Sequence, residues 1–373
     1  MRIHIVGGGP GGLYLALLAK QADPSRDVAV YERDAVDETF GWGVVFSEQT
    51  FSYLRDTDRS VYERIREQAI FWDHLDVVHR GQRVRVRGTA FAGLTRLTLV
   101  QLLRRRCVEA GVALRCHTNV RDLRTLPDGD LLVGADGANS LVRRTFAESL
   151  RPSERIGSSM FVWMGVHHRL EAYTLALRAT GAGTFAAHLY PHSDSSSTVV
   201  IECAESAWTR AGLNAKSDHE ACVFLSDVFA DELGGHLLLT ADRMKWRNFL
   251  LVACQRWTHD RVALLGDAAH TVHFSTGMGT RLALEDAIAL FQALQSRRKV
   301  PEALAAYEAA RRPVVERVQV DAQQSLLWFE HLDGAMALTP EVLARHVVAT
   351  TRLLDADTFR ALNPELASAA ETA

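Results

Sequence analysis

The sequence predicts a mixed α/β (α+β) fold, in which a parallel sheet flanked by helices carries an inserted antiparallel sheet and ends in C-terminal helices. A short apolar strand, a glycine-rich turn and an apolar helix open the chain over residues 2–19. Residues 156–204 alternate and are rich in β-branched and aromatic side chains, which is typical of antiparallel strands. Residues 279–296 and 301–330 have helical patterns. Together these three observations indicate two layers of different character.

The opening stretch carries a dinucleotide-binding signature. Gly7, Gly9 and Gly12 are spaced as G-x-G-x-x-G between strand and helix, and a second strand at residues 28–31 ends at Glu32. The three glycines permit a tight turn, a close approach of the backbone to a pyrophosphate, and close helix–strand packing. The helix N-terminus offers N–H groups to the phosphates, and a carboxylate such as Glu32 accepts hydrogen bonds from the ribose hydroxyls. We therefore predict a Rossmann-like domain.

Length and composition describe an ordinary globular protein. The chain has 373 residues, of which 47% are hydrophobic, and a formal net charge of −3. This charge gives no reason to expect nucleic acid or an anionic membrane as a partner. We find no secretory signal, no apolar run of about 18 residues and no C-x-x-C pair among the five cysteines. We expect a cytoplasmic protein without a metal site.

The middle of the chain predicts a hairpin and further strands and helices. The hairpin turns at Arg80-Gly81, and one face of its second strand is all arginine (Arg83, Arg85, Arg87). We interpret this face as solvated rather than as an anion site. Residues 97–110 and 216–231 read as helices, and residues 112–116 and 131–133 as strands that rejoin the first sheet. We assign the antiparallel layer at 156–204 to substrate binding.

Two later motifs again combine a strand end with a polar group. Asp136 follows a strand in Gly134-Ala-Asp-Gly137, where it can also act as a helix N-cap. Asp267 follows the strand at residues 261–265, at a position where it can bind a ribityl or ribose hydroxyl. Gly277 and Gly279 open the next helix and can present N–H groups to a carbonyl of a flavin ring.

The three motifs in this order resemble the FAD-dependent single-component aromatic hydroxylases (class A, the p-hydroxybenzoate hydroxylase type), over essentially the whole chain. They read G-x-G-x-x-G, then G-A-D-G-x-x-S-x-V-R, then G-D-A-A-H with G-x-G beyond it. Residues 41–47, 273–280 with 284–287, and 328–330 resemble the branch of the salicyloyl-CoA 5-hydroxylases. This branch includes the monooxygenase half of 2-aminobenzoyl-CoA monooxygenase/reductase and the violacein-pathway hydroxylase that acts on protodeoxyviolaceinate. Phe274 replaces the usual Pro of the wider family, and Arg281 the usual Asn.

This resemblance implies a stand-alone FAD-dependent monooxygenase that consumes NADH or NADPH and O₂. It would hydroxylate an aromatic substrate, either an aryl-CoA thioester or a bulky aromatic acid, through a C4a-hydroperoxyflavin, as a monomer or homodimer. Epoxidation or other oxidation of an aromatic acyl-CoA ring and N-oxidation of an arylamine share the same motifs. A non-catalytic FAD-binding module is the alternative from another class.

The resemblance also implies roles for residues. Residues 7–12 would hold the pyrophosphate, Glu32 the adenosine ribose, Arg96 the FAD phosphate or ribityl region and Asp267 the ribityl chain. The backbone near Val120 would meet adenine, residues 277–280 would face the flavin ring, and Asp136 belongs to a motif tied to both FAD and NAD(P)H use. The complete expected cofactor-binding set is Gly7, Gly9, Pro10, Gly11, Gly12, Glu32, Arg33, Arg96, Val120, Asp136, Asp267, Gly277, Met278, Gly279 and Thr280.

Histidines are the candidate catalytic groups, because their pKa suits the activation of a phenol or aniline at neutral pH. His273 is the first candidate, since its motif places it beside the flavin ring. His188 and His192 flank Tyr190 in the second layer and are weaker candidates. We expect His270 to fix its loop rather than act as a base.

We expect three parts in the chain. Residues 1–71, 90–155 and 255–330 would form the FAD-binding domain, residues 72–89 and 156–254 the substrate domain, and residues 331–373 the C-terminal helices.

Overall fold

The computed structural model describes residues 1–35, 42–240, 244–351 and 354–368. Gly41, the first residue of the segment at 41–47, lies outside the described residues, as does the end of the Ala-rich tail from residue 369.

Two sheets and their helices make up the described chain. The strands are β1 (Arg2–Val6), β2 (Asp27–Tyr31), β3 (Gly43–Ser47), β4 (Ile70–His79), β5 (Gln82–Thr95), β6 (Ala113–Arg115), β7 (Leu131–Gly134), β8 (Pro152–Val166), β9 (Tyr173–Thr180), β10 (Gly183–Pro191), β11 (Ser197–Ala204), β12 (Leu238–Leu239), β13 (Arg247–Cys254), β14 (Thr258–His259) and β15 (Val262–Leu264). The helices are α1 (Pro10–Ala22), α2 (Glu48–Thr57), α3 (Arg59–Gln68), α4 (Arg96–Ala110), α5 (Leu141–Thr145), α6 (Ala147–Leu150), α7 (Glu205–Arg210), α8 (Asp218–Val228), α9 (Ala230–Leu233), α10 (Gly279–Ser296), α11 (Val300–Glu330), α12 (Leu332–Ala335), α13 (Pro340–Thr351), α14 (Ala356–Leu362) and α15 (Pro364–Ser368).

The first sheet has the order β14-β15-β7-β1-β2-β6. All its neighbours are parallel except β14 and β15. Its central strands are buried, because α1, α4 and α10 cover it and pack on one another. The carboxyl ends of β1, β7 and β15 lead into the three motifs, which places all three at one edge of the sheet. The predicted return of β6 and β7 to the first sheet is confirmed.

The second sheet has nine strands in the order β12-β8-β11-β10-β9-β4-β5-β3, with β13 paired to β8. It is antiparallel except for the β4–β9 pair. One face packs on α7, α8 and α9 through Phe185, Val199, Ile201 and Leu225. Part of the other face packs on the C-terminal helices. Because side chains alternate along a strand, His188 and Tyr190 of β10 point away from the α7–α9 core.

The predicted hairpin is confirmed, and its turn explains its sequence. Arg80 (φ +51°) and Gly81 (φ +74°) both adopt left-handed conformations, as a two-residue type I′ turn requires. The arginine face is not simply solvated, however. Arg83 and Arg85 each lie 2.9 Å from the buried carboxylate of Asp76, which therefore has its compensating charge. Their positive charge balances an internal acid.

The mixed α/β class is confirmed by the two sheets. The division into three parts remains a proposal, and the nine-stranded sheet also draws in β3 and the end of β5 from segments assigned to the first part. In the described ranges, we find no helix both long and apolar enough to cross a membrane.

Candidate functional site

The glycine turn after β1 contains two kinds of glycine. A Cβ on Gly7 (φ +107°) would lie 2.2 Å from the carbonyl oxygen of Ala135, and one on Gly12 would lie 2.3 Å from that of Gly7. A Cβ on Gly9 would meet no atom within 4 Å. Packing of the protein itself thus requires Gly7 and Gly12, whereas Gly9 faces open space in front of α1, where a pyrophosphate could approach.

Glu32 supports this turn from the end of β2. Its carboxylate accepts hydrogen bonds from the backbone N–H of Gly8 at 2.6 Å and of Asp34 at 2.9 Å. Its backbone carbonyl accepts from Thr118 at 2.7 Å, which brings the loop with Val120 to the same sheet edge. The Arg33 side chain is exposed and ion-paired with Asp34 at 3.4 Å.

Arg96 and Asp267 lie close enough to influence each other's ionisation. Arg96 Nε is buried and has no hydrogen-bond partner among the described residues. Burial lowers the pKa of Arg96, and Asp267 and Tyr190 oppose this as nearby acidic groups. Asp267 is open to solvent at its surface, yet the surrounding protein desolvates its carboxyl and raises its pKa, while His270 and Arg96 oppose the rise. Asp267 therefore combines access to solvent with a crowded protein environment.

The loop that carries Asp267 is fixed from behind. Asp286 accepts from the backbone N–H of Gly266 at 3.0 Å and lies 2.7 Å from His270 Nε2. Arg311 lies 2.8 Å from the same carboxylate, and Trp257 stacks on the His270 ring. His270 is therefore held in a structural network, in agreement with its expected loop-fixing role.

Asp136 uses both carboxylate oxygens inside the protein. One accepts from Ser140 Oγ at 2.5 Å and the other from the backbone N–H of Leu141 at 2.7 Å, in the first turn of α5. This satisfies N–H groups at the helix start, so the capping interpretation has direct structural support. Ser140, rather than Asp136, is the N-cap residue itself.

Arg143 connects the second and third motifs, which sequence reasoning missed. It is 1% exposed and donates to the carbonyls of Ala138 at 2.5 Å and Ala268 at 3.0 Å. It also pairs with Glu154 at 2.7 Å. One buried cation therefore holds the strand end of Asp136 against the loop of Asp267.

The expected flavin-facing segment ends in an open helix start. Gly277 has φ +64°, and a Cβ on Gly277 or Gly279 would meet no atom within 4 Å. The N-cap residue Met278 gives α10 no side-chain hydrogen bond. The N–H groups here, with the half-buried Thr280, border free space.

The three candidate histidines are buried on the inner side of the nine-stranded sheet. His273 Nδ1 lies 2.8 Å from Ser275 Oγ, and its Nε2 lies 3.5 Å from Glu202 Oε2. His188 Nε2 lies 2.7 Å from Glu202 Oε1. His192 stands apart, with Nδ1 2.9 Å from Thr198 Oγ1, and burial lowers its pKa to about 4. The structure brings His188 and His273 together and leaves His192 outside this group.

Sequence reasoning did not single out Glu202 or Tyr173. Glu202 is 0% exposed within the apolar strand β11, and Tyr173 lies 2.6 Å from His188 Nδ1. The available signal was an acidic residue inside an otherwise uncharged strand, because such a group is buried only with a partner.

Partly exposed aromatic rings cover this cluster. Phe274, at the usual Pro position, lies 4.9 Å from Phe161 and meets His188 edge-on at 5.4 Å between centroids. Phe249 lies 5.1 Å from His273. These rings join the third-motif loop to the inserted sheet.

The residues present fit FAD. The open space at Gly9, the unpartnered Arg96 Nε, the accessible but desolvated Asp267 and the uncapped start of α10 are all features that a bound dinucleotide would satisfy.

Comparisons with known proteins identify relatives of this chain. The FAD binding domain family matches residues 122–322. Salicyloyl-CoA 5-hydroxylase of a Streptomyces species is 41% identical over 89% of this chain, which spans 66% of that protein. A 3-hydroxy-4-methyl-anthranilyl-[aryl-carrier protein] 5-monooxygenase of Streptosporangium sibiricum is 35% identical, with 89% of this chain and 90% of that protein covered. Protodeoxyviolaceinate monooxygenase of Chromobacterium violaceum is 33% identical, with 91% of each chain covered.

Solved structures share the fold. A tetrameric form of 2-methyl-3-hydroxypyridine-5-carboxylic acid oxygenase superposes with a TM-score of 0.73 at 19% identity, covering 94% of this chain and 96% of that one. A probable FAD-dependent monooxygenase from Pseudomonas aeruginosa gives 0.71 at 22% identity, covering 90% and 98%. The family match and the sequence relatives lead to one conclusion: this chain belongs to the FAD-dependent aromatic monooxygenase family that carries the FAD binding domain.

Proposed function

We propose that this enzyme hydroxylates an aromatic acyl group bearing a ring hydroxyl or amino substituent, carried on coenzyme A or another thioester carrier, with NAD(P)H and O₂ as co-substrates. The observation that carries the proposal is the proximity of Arg96 both to Asp267 and to Tyr190, which belongs to an aromatic cluster on the inserted sheet. Two of the three relatives described above are named for an acyl group on CoA or on an aryl-carrier protein. A bulky free aromatic acid is the alternative substrate.

We propose that the expected cofactor-binding residues hold FAD in the following way. Gly9 and the start of α1 would bind the pyrophosphate, and Arg96 would place a positive charge beside it. Asp267 would accept a hydrogen bond from a ribityl hydroxyl. The N–H groups at Gly277 and Gly279 would lie beside the flavin ring. When bound, FAD takes hydride from NAD(P)H and activates O₂ for transfer to the substrate ring.

The chain's own residues would position the ring and exclude water. Phe161, Phe249 and Phe274 form an apolar cover in which ring centroids lie 4.9 to 6.4 Å apart. Such a cover lowers the local dielectric and keeps water from the oxygen-transfer site. Tyr190, whose hydroxyl donates to the Gly43 carbonyl at 3.0 Å, connects this face to the side of Arg96.

The experiment is the visible spectrum of the purified protein, followed by NADH and NADPH oxidation with 2-aminobenzoyl-CoA, salicyloyl-CoA and the two free acids. We expect a yellow protein whose NAD(P)H oxidation is stimulated by a thioester, with one atom of ¹⁸O₂ recovered in the ring of the product. Gly181→Val alters an exposed glycine whose added Cβ would meet no atom within 4 Å. In the same assay it is the matched control for Gly9→Val in the glycine-rich turn after β1.

Each alternative gives a different product. If only the free acids stimulate NAD(P)H oxidation, the substrate is a free aromatic acid and the thioester part of the proposal is wrong. Oxygen on the amino nitrogen, or an epoxide, would replace ring hydroxylation. A colourless protein that takes up no FAD, or no stimulation by any aromatic compound in a broad panel, would contradict the function itself.

A further inference from the structure

A groove of about 540 Å³ lies where the inserted sheet meets α2 and α3. We call it the aromatic groove, because five rings line it, those of Phe51, Tyr62, Phe71, Trp72 and Phe91. Neither Arg96 nor Asp267 is among its lining residues in the described chain. The aromatic groove is therefore separate from the residues proposed to hold FAD.

The aromatic groove opens at an irregularity in the pairing of β4 with β5. Trp72 lies opposite Phe91, but the next pair along the strands is His74 with Arg87. Asp73 alone therefore lies opposite residues 88–90, which form a bulge in β5. A bulge bends a strand and interrupts its ladder, which accounts for an opening at this point of an otherwise continuous sheet.

The rings of the aromatic groove are paired and partly open to solvent. Between ring centroids, Phe71 lies 5.5 Å from Phe51, and Trp72 lies 6.2 Å from Phe91. Phe71 is 52% exposed, although proteins usually bury this type of side chain. Exposed rings around a groove are typical of a binding site, and they favour a flat aromatic ligand on which they can stack.

Trp72 and Asp73 add hydrogen-bonding groups to the lining. Trp72 is 6% exposed, and its Nε1–H has no hydrogen-bond partner among the described residues. A buried indole N–H usually has an acceptor, so the protein provides a donor here that a ring nitrogen of a ligand would satisfy. Asp73 also lines the aromatic groove, and its side chain is 94% exposed, so its carboxylate can accept from an amino group.

Two arginines beside these rings are available to an anion. Arg55 lines the aromatic groove and lies 3.1 Å from its sequence neighbour Asp56, in a pair whose side chains are both more than half exposed. Such exposed pairs contribute little and exchange readily for another anion. Arg87 is exposed one ladder pair beyond the bulge and has no ion pair within the described ranges, whereas Arg83 and Arg85 balance an internal acid. A phosphate at this end would therefore meet free positive charge.

The aromatic groove adjoins the layer that we assign to the substrate. Trp72 and Phe91 also pack in a cluster with Tyr190 of the inserted sheet. Tyr190 in turn lies near enough to Arg96 to influence its ionisation. A substrate with its acyl group near Tyr190 and a long carrier arm can extend past Trp72 into the aromatic groove. The volume suits a small molecule, since such sites measure about 300–1,000 Å³.

We propose that the aromatic groove binds the adenine nucleotide of the acyl-CoA substrate. This inference rests on the proposed function and narrows it, because it selects coenzyme A among the thioester carriers. The adenine ring would stack on Phe71, accept a hydrogen bond from Trp72 Nε1–H and donate through its amino group to Asp73. Arg55 and Arg87 would lie beside the phosphates. NAD(P)H also carries an adenine nucleotide, but the shared rings connect the aromatic groove to the substrate layer.

The test compares two substrates that share the acyl group. Salicyloyl-CoA carries the adenine nucleotide, whereas salicyloyl-pantetheine has the same thioester arm without it. NAD(P)H oxidation by the FAD-loaded enzyme gives the KM of each. In the wild type, we expect the KM of salicyloyl-CoA to be about tenfold lower than that of salicyloyl-pantetheine. In Phe71→Ala and in Arg55→Gln, which alter exposed side chains, we expect this ratio to fall to about threefold or less.

Binding of coenzyme A itself provides a second measurement that needs no turnover. Calorimetry with the oxidised, FAD-loaded enzyme should detect its binding, and Phe71→Ala should raise the Kd about tenfold. Val108→Ala and Arg105→Gln change an exposed apolar residue and an exposed arginine of α4, neither of which lines the aromatic groove. These matched controls should keep the wild-type KM ratio and the wild-type Kd.

The contrary results are distinct. Equal KM values for the two thioesters in the wild type, or an unchanged ratio in both variants, would overturn the inference and leave the proposed function in place. A higher KM for NAD(P)H in Phe71→Ala, with the thioester ratio unchanged, would assign the aromatic groove to the nicotinamide dinucleotide instead. If no thioester stimulates NAD(P)H oxidation but coenzyme A binds with the expected dependence on Phe71, the proposed function is wrong and the nucleotide site stands.

Discussion

The edge of the six-stranded sheet and the inner face of the nine-stranded sheet use polar groups in different ways. The first presents Gly9, Asp267 and Gly279 to open space and holds a buried, unpartnered Arg96 Nε near Asp267. The second buries its ionisable groups and pairs them with one another. The first region leaves hydrogen-bonding groups without partners, whereas the second encloses its ionisable groups away from water.

The largest effect is expected for a substitution that alters only the edge of the six-stranded sheet, which we call the open edge. Gly9→Val should abolish FAD retention, because its side chain would occupy the space in front of α1, where a Cβ meets no protein atom within 4 Å. Flavin absorbance per protein after gel filtration measures this, and circular dichroism should show an intact fold. Full retention of FAD by this variant would remove the pyrophosphate role of the turn.

The link between the second and third motifs should be the next most sensitive point. Arg143→Met should lower the free energy of unfolding by about 3 kcal/mol, because buried carbonyls at Ala138 and Ala268 lose a charged donor. The exposed neighbour change Arg144→Met should cost no more than about 0.5 kcal/mol. Urea unfolding of the FAD-free proteins compares the two, and equal effects would contradict the structural role of Arg143.

The burial of His192 on the inner face of the nine-stranded sheet should make the stability of the protein depend on pH. The pKa of His192 is lowered from 6.5 to about 4, so between these pH values the unfolded chain binds a proton that the folded chain does not. Stability should therefore fall as pH falls from about 6.5 to 4, by about 3 kcal/mol in total. His192→Asn should flatten this part of the stability curve, while the exposed control His331→Asn should leave it unchanged. An unaltered curve in His192→Asn would contradict the burial argument.

The smallest change in the free energy of unfolding is expected when either of two buried tyrosines, one in each region, is replaced by phenylalanine. Tyr307 donates to the Leu264 carbonyl at 2.9 Å just before the Asp267 loop, and Tyr190 donates to the Gly43 carbonyl at 3.0 Å. Each Tyr→Phe change should lower the free energy of unfolding by about 1 kcal/mol. Only Tyr307→Phe should also weaken FAD binding, measured by flavin fluorescence on dilution. Equal FAD affinity in the two variants would contradict the assignment of FAD binding to the edge of the six-stranded sheet alone.

The open edge was predictable because it is built locally. Each motif follows a strand end within a few residues, and backbone groups at parallel strand ends converge at one sheet edge. Helix α10 begins at Gly279 and ends at Ser296, at the predicted bounds. The predicted helix at 216–231 is instead two segments, α8 and α9, separated at Phe229, whose ring is fully buried in the sheet–helix core.

The hydrogen-bonded group around Glu202 was only partly predictable. His188 and His273 were candidates from residue type and motif, but the side chains around them come from other elements. Tyr173 lies on β9, Glu202 lies on β11 and 71 residues before His273, and Ser325 lies on α11 and 52 residues after His273. Nothing in local sequence specifies that Glu202 stands between two histidines.

The sequence by itself determined the class of the fold, the glycine-rich turn after β1 and the family, because these depend on glycine spacing, strand–helix order and local hydrogen bonding. Only the tertiary structure decided that Arg143 joins two motifs and that Glu202 faces both His188 and His273. Those contacts depend on which faces of distant strands meet, and side-chain alternation along a strand leaves the identity of the opposing residue open until the sheets pack.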